Sequence, residues 1–459
     1  MSAATGTAMG TATDTATGTG PEVLDVVGVG FGPANLALAI AVHEGAGTPD
    51  ALRARFLERK PAFGWHRGML LPGASMQVSF LKDLATMRNP ASGFSFLTYL
   101  HQRGRLVDFV NAKTFFPSRL EFHDYLEWAA AQVDDLVRYD AEVERIDPVT
   151  GEGGTVDALD VVVRQGGASH VLRTRNVVFG TGLRPRMPEG VSTGARVWHS
   201  AEFLDRLAAL PAEPRAVGVL GAGQSAAEVA EHLHTRFPAA DVYAVHSRYG
   251  YSPADSTPFA NRVFDPEAVD VFHGAGPAVR EQIAGYHRGT NYSVVDAALI
   301  EELHRRVYEE KVTGRRRLHV LNTSRVTAVA AEPGRVRVSV ENVADGSTRR
   351  LSLDLLVCAT GYHPADPSPL LGDLVRRCAR DERGRLLAER DYRVGADPAL
   401  RAGIYLLGGT EHTHGISASL LSNAAVRAGE VHASLLRSVR AAGEREAGER
   451  EPRLVAAVG

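Results

Sequence analysis

The sequence predicts an α/β fold built from two similar strand–turn–helix units. The first, Leu24–Leu36, reads LDVVGVGFGPANL, an apolar strand followed by a glycine-rich turn and the start of a helix. The second has the same order, with strand Ala216–Leu220, turn Gly221–Ala226 and helix Ala227–Leu233. Such units are typical of parallel sheets that bind dinucleotides, because glycines let a pyrophosphate approach the backbone and the helix N-terminus. We therefore expect two Rossmann-like dinucleotide-binding domains.

The composition excludes several classes of protein. A chain of 459 residues with 44% hydrophobic and 23% charged residues is an ordinary globular protein of about two to three domains. A net charge of −3 is not the basic footprint of a nucleic-acid binder. The sequence contains no apolar run near the roughly 20 residues that span a bilayer. Cys358 and Cys378 form neither a CxxC pair nor a metal pattern, so we expect a cytoplasmic protein without nucleic-acid or membrane partners.

The first glycine turn departs from the usual GxGxxG pattern. It contains Gly28, Gly30, Gly32 and Pro33, so its third glycine comes one position early. Proline is tolerated in the first turn of a helix. Strand Arg55–Glu58 ends in an acid that can accept hydrogen bonds from an adenosine ribose. A surface glutamate at a strand end remains the alternative interpretation of Glu58.

The second glycine turn, Gly221-x-Gly223-Gln224-Ser225-Ala226, is a GxGxxA variant. The strand after it, Asp241–His246, ends in Ser247 and Arg248, which suit a 2′-phosphate and therefore favour NADPH over NADH. A solvent-exposed arginine is the alternative. Two such turns in one chain indicate a flavoprotein with FAD at the first and NADPH at the second. Leu353–Tyr362, an apolar strand ending in Ala-Thr-Gly-Tyr, supports this interpretation.

Five further segments resemble the flavin-dependent N-hydroxylating monooxygenases, the ornithine and lysine N-hydroxylases of siderophore and piperazate pathways. The resemblance covers about Asp25 to Leu436, and the sequences of the segments are closer to those of the ornithine enzymes. The segments are MQVSFLKDLATMRNP (Met76–Pro90), TPFANRVFDP (Thr257–Pro266), TNYSVVD (Thr290–Asp296), ATGY (Ala359–Tyr362) and THGISASLLSN (Thr413–Asn423).

The resemblance implies a domain organisation. An FAD-binding domain would be assembled from residues 21–210 and 350–440. An NADPH-binding domain would span 211–349, with 250–312 contributing a small, mostly helical substrate-binding part. From composition alone, we expect residues 1–20, which are mainly Thr, Gly and Ala, to be a disordered tail. The charged run near the C-terminus predicts a flexible tail at 441–459.

The activity implied by the resemblance is oxygen-dependent hydroxylation of an amine. NADPH reduces FAD, the reduced flavin takes up oxygen as a C4a-hydroperoxide, and the substrate's side-chain amine attacks the distal oxygen. L-ornithine is the expected substrate, with L-lysine or a diamine such as putrescine as the alternative. The resemblance also implies a homo-oligomer, with a tetramer favoured.

A flavin disulfide reductase is the alternative from another enzyme class. It would need a redox cysteine pair, which the sequence lacks.

The resemblance also assigns site residues. Lys82 should pair with the substrate carboxylate, while Asn261 and Asn291 should bind its backbone amine and carboxylate. We expect catalytic roles for Gln77, Asn291 and Ser419, and contact of Leu421 with flavin and substrate. The expected cofactor ligands are Gly28, Gly30, Gly32, Pro33, Glu58, Trp65, His66, Gln77, Gly221, Gly223, Gln224, Ser225, Arg248, Thr360, Gly361, Ser419 and Leu421.

Three points stay open at the sequence level. The family often has an arginine nearer the start of the segment before PFAN, where this chain has Ser247, so the 2′-phosphate ligand could be Arg248 or a neighbour. We identify no acid in the five segments as an obvious acceptor for the amine proton. His412 and His414 lack a third ligand at suitable spacing, so we expect no metal site.

Overall fold

The computed structural model describes residues 22–49 and 51–456, and two five-stranded parallel sheets dominate it. In spatial order, the first sheet contains Gly403–Leu406, Asn176–Phe179, Val26–Val29, Ala54–Leu57 and Val137–Arg138. Val26–Val29 is buried along its whole length, as expected for a strand covered on both faces. The predicted α/β class with parallel sheets is confirmed.

Helix Pro33–Glu44 follows the first glycine turn and lies inside the domain. Its residues from Asn35 to Val42 are all buried, and it packs against the last helix, Ala424–Ala456. A helix that is apolar on nearly every side needs such a buried position. Leu36, Leu38 and Ile40 are fully buried, and each contributes about 1.5–3 kcal/mol of transfer free energy. This packing fixes the helix N-terminus at the edge of the sheet.

The second parallel sheet contains, in spatial order, Val197–His199, Leu355–Cys358, Ala216–Leu220, Asp241–Val245 and Leu318–Leu321. This order corrects the predicted domain bounds, which placed the strands at 197–199 and 355–358 with the FAD domain. Leu355–Cys358 is buried throughout and pairs on both sides. Its apolar sequence predicts a central strand but not the sheet to which it belongs, because pairing is non-local.

Antiparallel strands extend both units. A four-stranded sheet has the order Val23–Leu24, Ala168–Thr174, Val156–Gln165 and Ala141–Thr150, and a three-stranded sheet contains Ser324–Glu332, Arg335–Asn342 and Thr348–Leu353. Leu183–Pro185 pairs with Tyr362–Pro364 where the chain passes between the parallel sheets. One strand of this ribbon follows Asn176–Phe179 of the first sheet, and the other follows Leu355–Cys358 of the second.

The other helices lie around the sheets and in the 250–312 region, which is mostly helical as expected. They are Phe96–Gln102, Leu106–Asn111, Arg119–Ala131, Phe203–Ala208, Gln224–Arg236, Pro258–Asn261, Ala268–Gly274, Pro277–Asn291, Ala297–Thr313, Ser368–Leu371 and Glu411–His414. In the described part of the chain, no helix is both long enough and apolar enough to cross a membrane.

The last helix extends past the residue at which the predicted flexible C-terminal tail begins. It continues to Ala456, although the sequence analysis placed a flexible tail from residue 441. Alanine, glutamate and arginine are strong helix formers, which favours continuation. Glu446 also accepts a 2.7 Å hydrogen bond from Arg175, so this part of the helix contacts the body of the protein. The predicted tail at 1–20 lies outside the described residues.

Candidate active site

The first glycine loop, Gly28–Pro33, lies at the carboxyl edge of the first sheet. A Cβ at Gly28 would meet Phe56 at 2.2 Å, and one at Gly30, whose φ is +82°, would meet the Gly180 carbonyl oxygen at 2.7 Å. Gly32 has nothing within 4 Å of its Cβ position. It is also the N-cap of helix Pro33–Glu44 and has no side chain that could satisfy the free N–H groups. The loop therefore offers open space and unpaired donors in front of a helix N-terminus.

Asn35, which the sequence analysis missed, ties this loop together. It is fully buried, and its Nδ2 donates to the carbonyl oxygens of Val29 and Gly30 at 3.3 and 2.6 Å. Its Oδ1 has no hydrogen-bond partner in the described part of the chain. A single polar residue within the apolar run Ala34–Val42 is the sequence signal that could have identified it.

Glu58 lies beside the loop. Its Oε2 accepts a hydrogen bond from the Phe31 N–H at 2.8 Å, and its Oε1 accepts from the Lys60 N–H at 3.0 Å. The carboxylate is half-buried at the end of the strand next to the glycine loop. This is the position from which an acid can bind an adenosine ribose.

More polar atoms without partners follow the edge strand Gly403–Leu406. In the described residues, no hydrogen bond is made by the buried Thr410 Oγ1, Ser422 Oγ or Asn423 Nδ2. Buried polar atoms normally have partners, so a cluster without them indicates a place for a ligand. Together with the open Gly32, these atoms fit a large polar cofactor at the carboxyl edge of the first sheet.

The second glycine loop, Gly221–Ala226, is built in the same way. Gly221 has a φ of +145°, and a Cβ there would lie 2.4 Å from the Ala359 carbonyl oxygen. Gly223 is the N-cap of helix Gln224–Arg236, again without a side-chain cap. Ser225 begins that helix and is half-buried. The second sheet thus also presents a helix N-terminus at its carboxyl edge.

Gln224 is oriented from two sides. Its Nε2 donates to Glu228 at 2.9 Å, and its Oε1 accepts from the Asp296 N–H at 2.7 Å. Glu228 in turn pairs with Arg119, whose Nη1 also donates to the Met69 carbonyl oxygen at 2.9 Å. Arg119 and Glu228 were both missed by the sequence analysis, because no local pattern links residues so far apart in the chain.

Arg248 follows strand Asp241–Val245 and is half-buried, whereas Ser247 is exposed. The Arg248 carbonyl oxygen accepts from the Thr323 N–H at 2.9 Å. Its guanidinium forms no ion pair within the described residues, so it is available to an anion at this edge of the sheet.

Thr360 and Gly361 connect the two units. Arg186 Nε donates to the Thr360 carbonyl oxygen at 2.8 Å, the Thr360 hydroxyl donates to the Arg186 carbonyl oxygen, and His199 Nε2 lies 2.9 Å from the Gly361 carbonyl oxygen. The next residue, Tyr362, has its ring 5.6 Å from that of His66. The His66 ring in turn lies 5.0 Å from Trp65. Trp65 and His66 are therefore near the junction of the two sheets.

Lys82 lies in a turn that Asp83 holds in place. The buried Asp83 carboxylate accepts hydrogen bonds from the N–H groups of Ala85, Thr86 and Phe96 at 2.9, 2.6 and 2.8 Å. Burial raises the pKa of Asp83, and these hydrogen bonds oppose the shift. Lys82 itself is half-buried and forms no ion pair among the described residues. Its ammonium is thus available to a carboxylate from outside the chain.

The other expected substrate and flavin ligands differ in their surroundings. Asn261 ends helix Pro258–Asn261, and its Nδ2 donates to the Ser256 carbonyl oxygen at 2.9 Å, which leaves Oδ1 as an acceptor. Asn291 is the half-buried last residue of helix Pro277–Asn291. Gln77 is exposed, so its contacts depend on what binds beside it.

Ser419 and Leu421 lie in the segment before the last helix. Leu421 packs on the first domain's core. Arg427, which is buried and was missed by the sequence analysis, donates to the carbonyl oxygens of Ser417 at 3.4 Å and of Ala418. Burial lowers the Arg427 pKa. This guanidinium therefore holds the segment through its backbone.

Glu411 is an acidic residue that interacts with Ser419 of this segment. It accepts a hydrogen bond from the Tyr292 hydroxyl, and it was overlooked because it lies just outside the segments that carry the resemblance. Burial raises the pKa of Glu411, while Tyr292 and Ser419 lower it. Ser419 Oγ has no hydrogen-bond partner of ordinary geometry in the part of the chain that the structure describes.

Neither the histidines nor the cysteines form a metal or redox centre in the described residues. His412 and His414 lie on one helical turn, not on a strand, and no cluster of potential metal ligands occurs there. Cys358 and Cys378 are free and buried, and burial raises their pKa values to about 12 and 11. Protonated, buried thiols are poor redox nucleophiles.

Two parallel sheets, each with a glycine loop and an uncapped helix at its carboxyl edge, define a protein with two dinucleotide-binding units. The model of the L-lysine 6-monooxygenase/L-ornithine 5-monooxygenase family matches residues 22–364, and the chain belongs to this family.

Individual relatives agree with this assignment. An L-ornithine N(5)-monooxygenase of Burkholderia cepacia is 43% identical over 401 residues, which cover 86% of this chain and 90% of the relative. The ornithine N-hydroxylase of Kutzneria sp. 744, in a structure with reduced FAD, NADP⁺ and L-ornithine, is 50% identical with a TM-score of 0.87, covering 91% of this chain and 99% of the other. An L-lysine 6-monooxygenase of Pseudomonas syringae is 38% identical with a TM-score of 0.80, covering 91% and 100%.

Proposed function

We propose that this protein hydroxylates the side-chain amine of L-ornithine in a reaction that uses NADPH, molecular oxygen and FAD. The observation that carries the proposal is family membership, combined with two glycine loops that precede uncapped helix N-termini and a lysine, Lys82, that forms no ion pair among the described residues. The relatives named for ornithine hydroxylation support this substrate.

The first glycine loop fits FAD, because Gly32 leaves open space before a helix N-terminus and the buried polar atoms around Thr410 lack partners. The second loop fits NADPH, with Gln224 and Ser225 at its helix start and Arg248 toward the 2′-phosphate. Bound FAD, once reduced by NADPH, supplies the oxygen activation. Trp65, His66, Gln77 and Ser419 are proposed to line it.

Lys82, Asn261 and Asn291 are proposed to hold the α-amino acid end of the substrate. The turn that carries Lys82 is fixed by the buried Asp83, so the ammonium is presented from a rigid backbone. A preorganised clamp reduces the entropy lost on binding. Because the clamp fixes one end of the substrate, the chain length of the amino acid decides where its amine lies.

The site must also favour a neutral amine. A primary amine with a pKa near 10.4 is only about 0.1% neutral near pH 7.4, and a shift of three units requires about 4 kcal/mol. Half-buried Leu420 and Leu421 would supply part of this shift by desolvating the ammonium. The free lone pair is the nucleophile of the reaction.

Hydroxylation of L-lysine or of a diamine such as putrescine is the second candidate. A relative named as an L-lysine 6-monooxygenase, 38% identical, favours it, since one methylene changes the binding free energy by only about 1–3 kcal/mol.

Hydroxyornithine would serve siderophore or piperazate-type biosynthesis. A cytoplasmic location is part of the proposal, because buried free thiols suit a reducing compartment.

Oligomerisation is a further part of the proposal. Val107, Val110, Phe115 and Phe116 are all at least half exposed and close in sequence. Exposed apolar patches commonly mark protein interfaces. We propose a homo-oligomer, with a tetramer favoured, in which this patch is covered by a second copy.

A product assay tests the substrate. The purified protein would receive FAD, NADPH and oxygen with ornithine, lysine or putrescine in separate reactions, and hydroxylamine products would be measured by mass spectrometry. We expect hydroxyornithine as the main product. A main product from lysine or putrescine would support the second candidate, and absence of any product would overturn the proposed activity.

A further inference from the structure

The Asn291–Ser293 turn lies between the two cofactor-binding units. On one side, the Cβ position of Gly223 in the second glycine loop is 3.4 Å from Ser293 Cα. Ser293 itself has a left-handed φ of +57°, which fixes the direction of the chain at this point. On the other side, the Tyr292 hydroxyl donates to Glu411. The turn therefore touches the NADPH side through its backbone and the flavin side through one side chain.

The two ends of the Tyr292–Glu411 hydrogen bond differ in rigidity. Glu411 begins a helical turn that is well anchored, since His412 Nε2 lies 2.8 Å from the Leu386 carbonyl oxygen and Thr413 N–H donates to Thr410 at 3.0 Å. By contrast, Thr290 is the one buried residue in helix Pro277–Asn291. A helix with so little buried surface depends on individual side-chain contacts for its position.

The hydrogen bond from Tyr292 offsets part of the cost of burying Glu411. No arginine, lysine or histidine forms an ion pair with Glu411 among the described residues, so its hydrogen bonds are its compensation for burial. The strength of this bond depends on the charge of Glu411, because hydrogen bonds to an ionised acceptor are about twice as strong as those between neutral groups. The bond also raises the pKa of Tyr292, although partial burial raises it more.

We propose that Glu411 is a positioning residue: through Tyr292 it locks the adjacent Asn291, and the end of its helix, onto the flavin-side segment that carries Ser419. The inference rests on the proposed function in one respect, the role of Asn291 as a substrate ligand. Without the lock, Asn291 remains in the chain but is no longer held at a fixed distance from the flavin side.

The variants Tyr292→Phe and Glu411→Leu remove the two halves of the contact, and Tyr292→Phe/Glu411→Leu removes both. We expect each single variant to raise the KM for ornithine about tenfold, the range of a lost charged hydrogen bond, with the kcat of NADPH oxidation little changed. Because the two single substitutions remove the same hydrogen bond, the KM of the double variant should not exceed the higher KM of the two single variants.

Two features make the test specific. Tyr286→Phe is the matched control, because Tyr286 lies on the same helix with 83% exposure and should change nothing. Glu411→Gln retains an oxygen acceptor without the charge, so its KM should fall between those of wild type and Glu411→Leu. Additive effects of the two single variants would overturn the proposal, as would equal effects of Tyr286→Phe and Tyr292→Phe.

Hydrogen exchange measured by mass spectrometry provides a readout that does not require activity. In the FAD-loaded protein, backbone amides of residues 286–295 should exchange faster in Tyr292→Phe and Glu411→Leu than in wild type or Tyr286→Phe. Unchanged exchange would overturn the lock. If the wild type made no hydroxylated amine while the exchange difference held, the proposed function would fail and the lock would stand.

Discussion

Arg119 and Glu228 join the two dinucleotide-binding units through a buried, bidentate ion pair. The guanidinium nitrogens donate to the two carboxylate oxygens at 2.9 and 2.7 Å, and the side chains are 13% and 6% exposed. Arg119 begins a helix of the first unit, whereas Glu228 lies on the helix after the second glycine loop. Since Glu228 also orients Gln224, the domain junction and the second glycine loop share one carboxylate.

Glu228→Gln should therefore damage both stability and NADPH binding. It leaves the Arg119 guanidinium buried beside a neutral amide, and loss of one partner of a buried pair costs about 3–5 kcal/mol. We expect this loss in urea unfolding, together with a raised KM for NADPH. Glu309→Gln, at an exposed pair with Arg305, is the control and should cost less than about 1 kcal/mol. Similar losses in both variants would contradict the prediction.

The glycines of the first loop should separate folding from cofactor binding. Gly32→Ala meets nothing within 4 Å in the protein, so the variant should fold normally but retain little flavin, because its methyl group occupies the space proposed for the cofactor. Gly28→Ala would bring a Cβ within 2.2 Å of Phe56 and should reduce the yield of folded protein. Flavin absorbance per protein and circular dichroism distinguish the two outcomes. Full flavin content in Gly32→Ala would exclude this position from the cofactor site.

Lys82→Met should discriminate between substrates with and without a carboxylate. We expect the KM for ornithine to rise about a hundredfold, because a buried charge pair of about 3 kcal/mol is lost. Any reaction with putrescine, which has no carboxylate, should hardly change. Lys311→Met, at an exposed helix position, serves as the control in steady-state assays. An equal rise in KM for both amines would argue against a carboxylate clamp.

His414 should make the folded protein sensitive to mild acid. Burial lowers its pKa to about 3, against about 6.5 in the unfolded chain. The unfolded state therefore takes up the proton first as the pH falls, and stability that is complete above pH 6.5 is lost toward pH 3. Between pH 7 and pH 5, the wild type should lose about 2 kcal/mol more unfolding free energy than His414→Gln. His101→Gln, at an exposed site, should behave like wild type in the same urea titrations.

Local patterns in the sequence were sufficient for the two strand–turn–helix units. The glycine spacing, the apolar strands and the uncapped helix starts all follow from neighbouring residues, and the structure has each of them. The sheet to which Leu355–Cys358 belongs was predicted wrongly, because a buried parallel strand carries no signal for its partners. The sequence analysis also did not predict the helix over residues 441–456, since a charged run suits both a solvated tail and a solvent-facing helix.

Contacts between distant residues account for what the sequence could not provide at the site. Arg119 and Glu228 are 109 positions apart in the chain. No local motif can link residues at that separation. Tyr292 and Glu411 are separated by 119 positions, and neither type of residue is unusual where it stands. Such pairs depend on how the two units pack, which is decided by the whole fold and not by any local segment.

The late position of strand Gly403–Leu406 in the chain has a consequence for biosynthesis. All five strands of the second sheet have been made once Cys358 has left the ribosome, but the first sheet still lacks its edge strand and the helix Ala424–Ala456. Translation at about 5–20 residues per second needs several seconds to supply them. The second sheet can therefore fold while the nascent chain is still growing, whereas the first sheet cannot be completed until synthesis is almost finished.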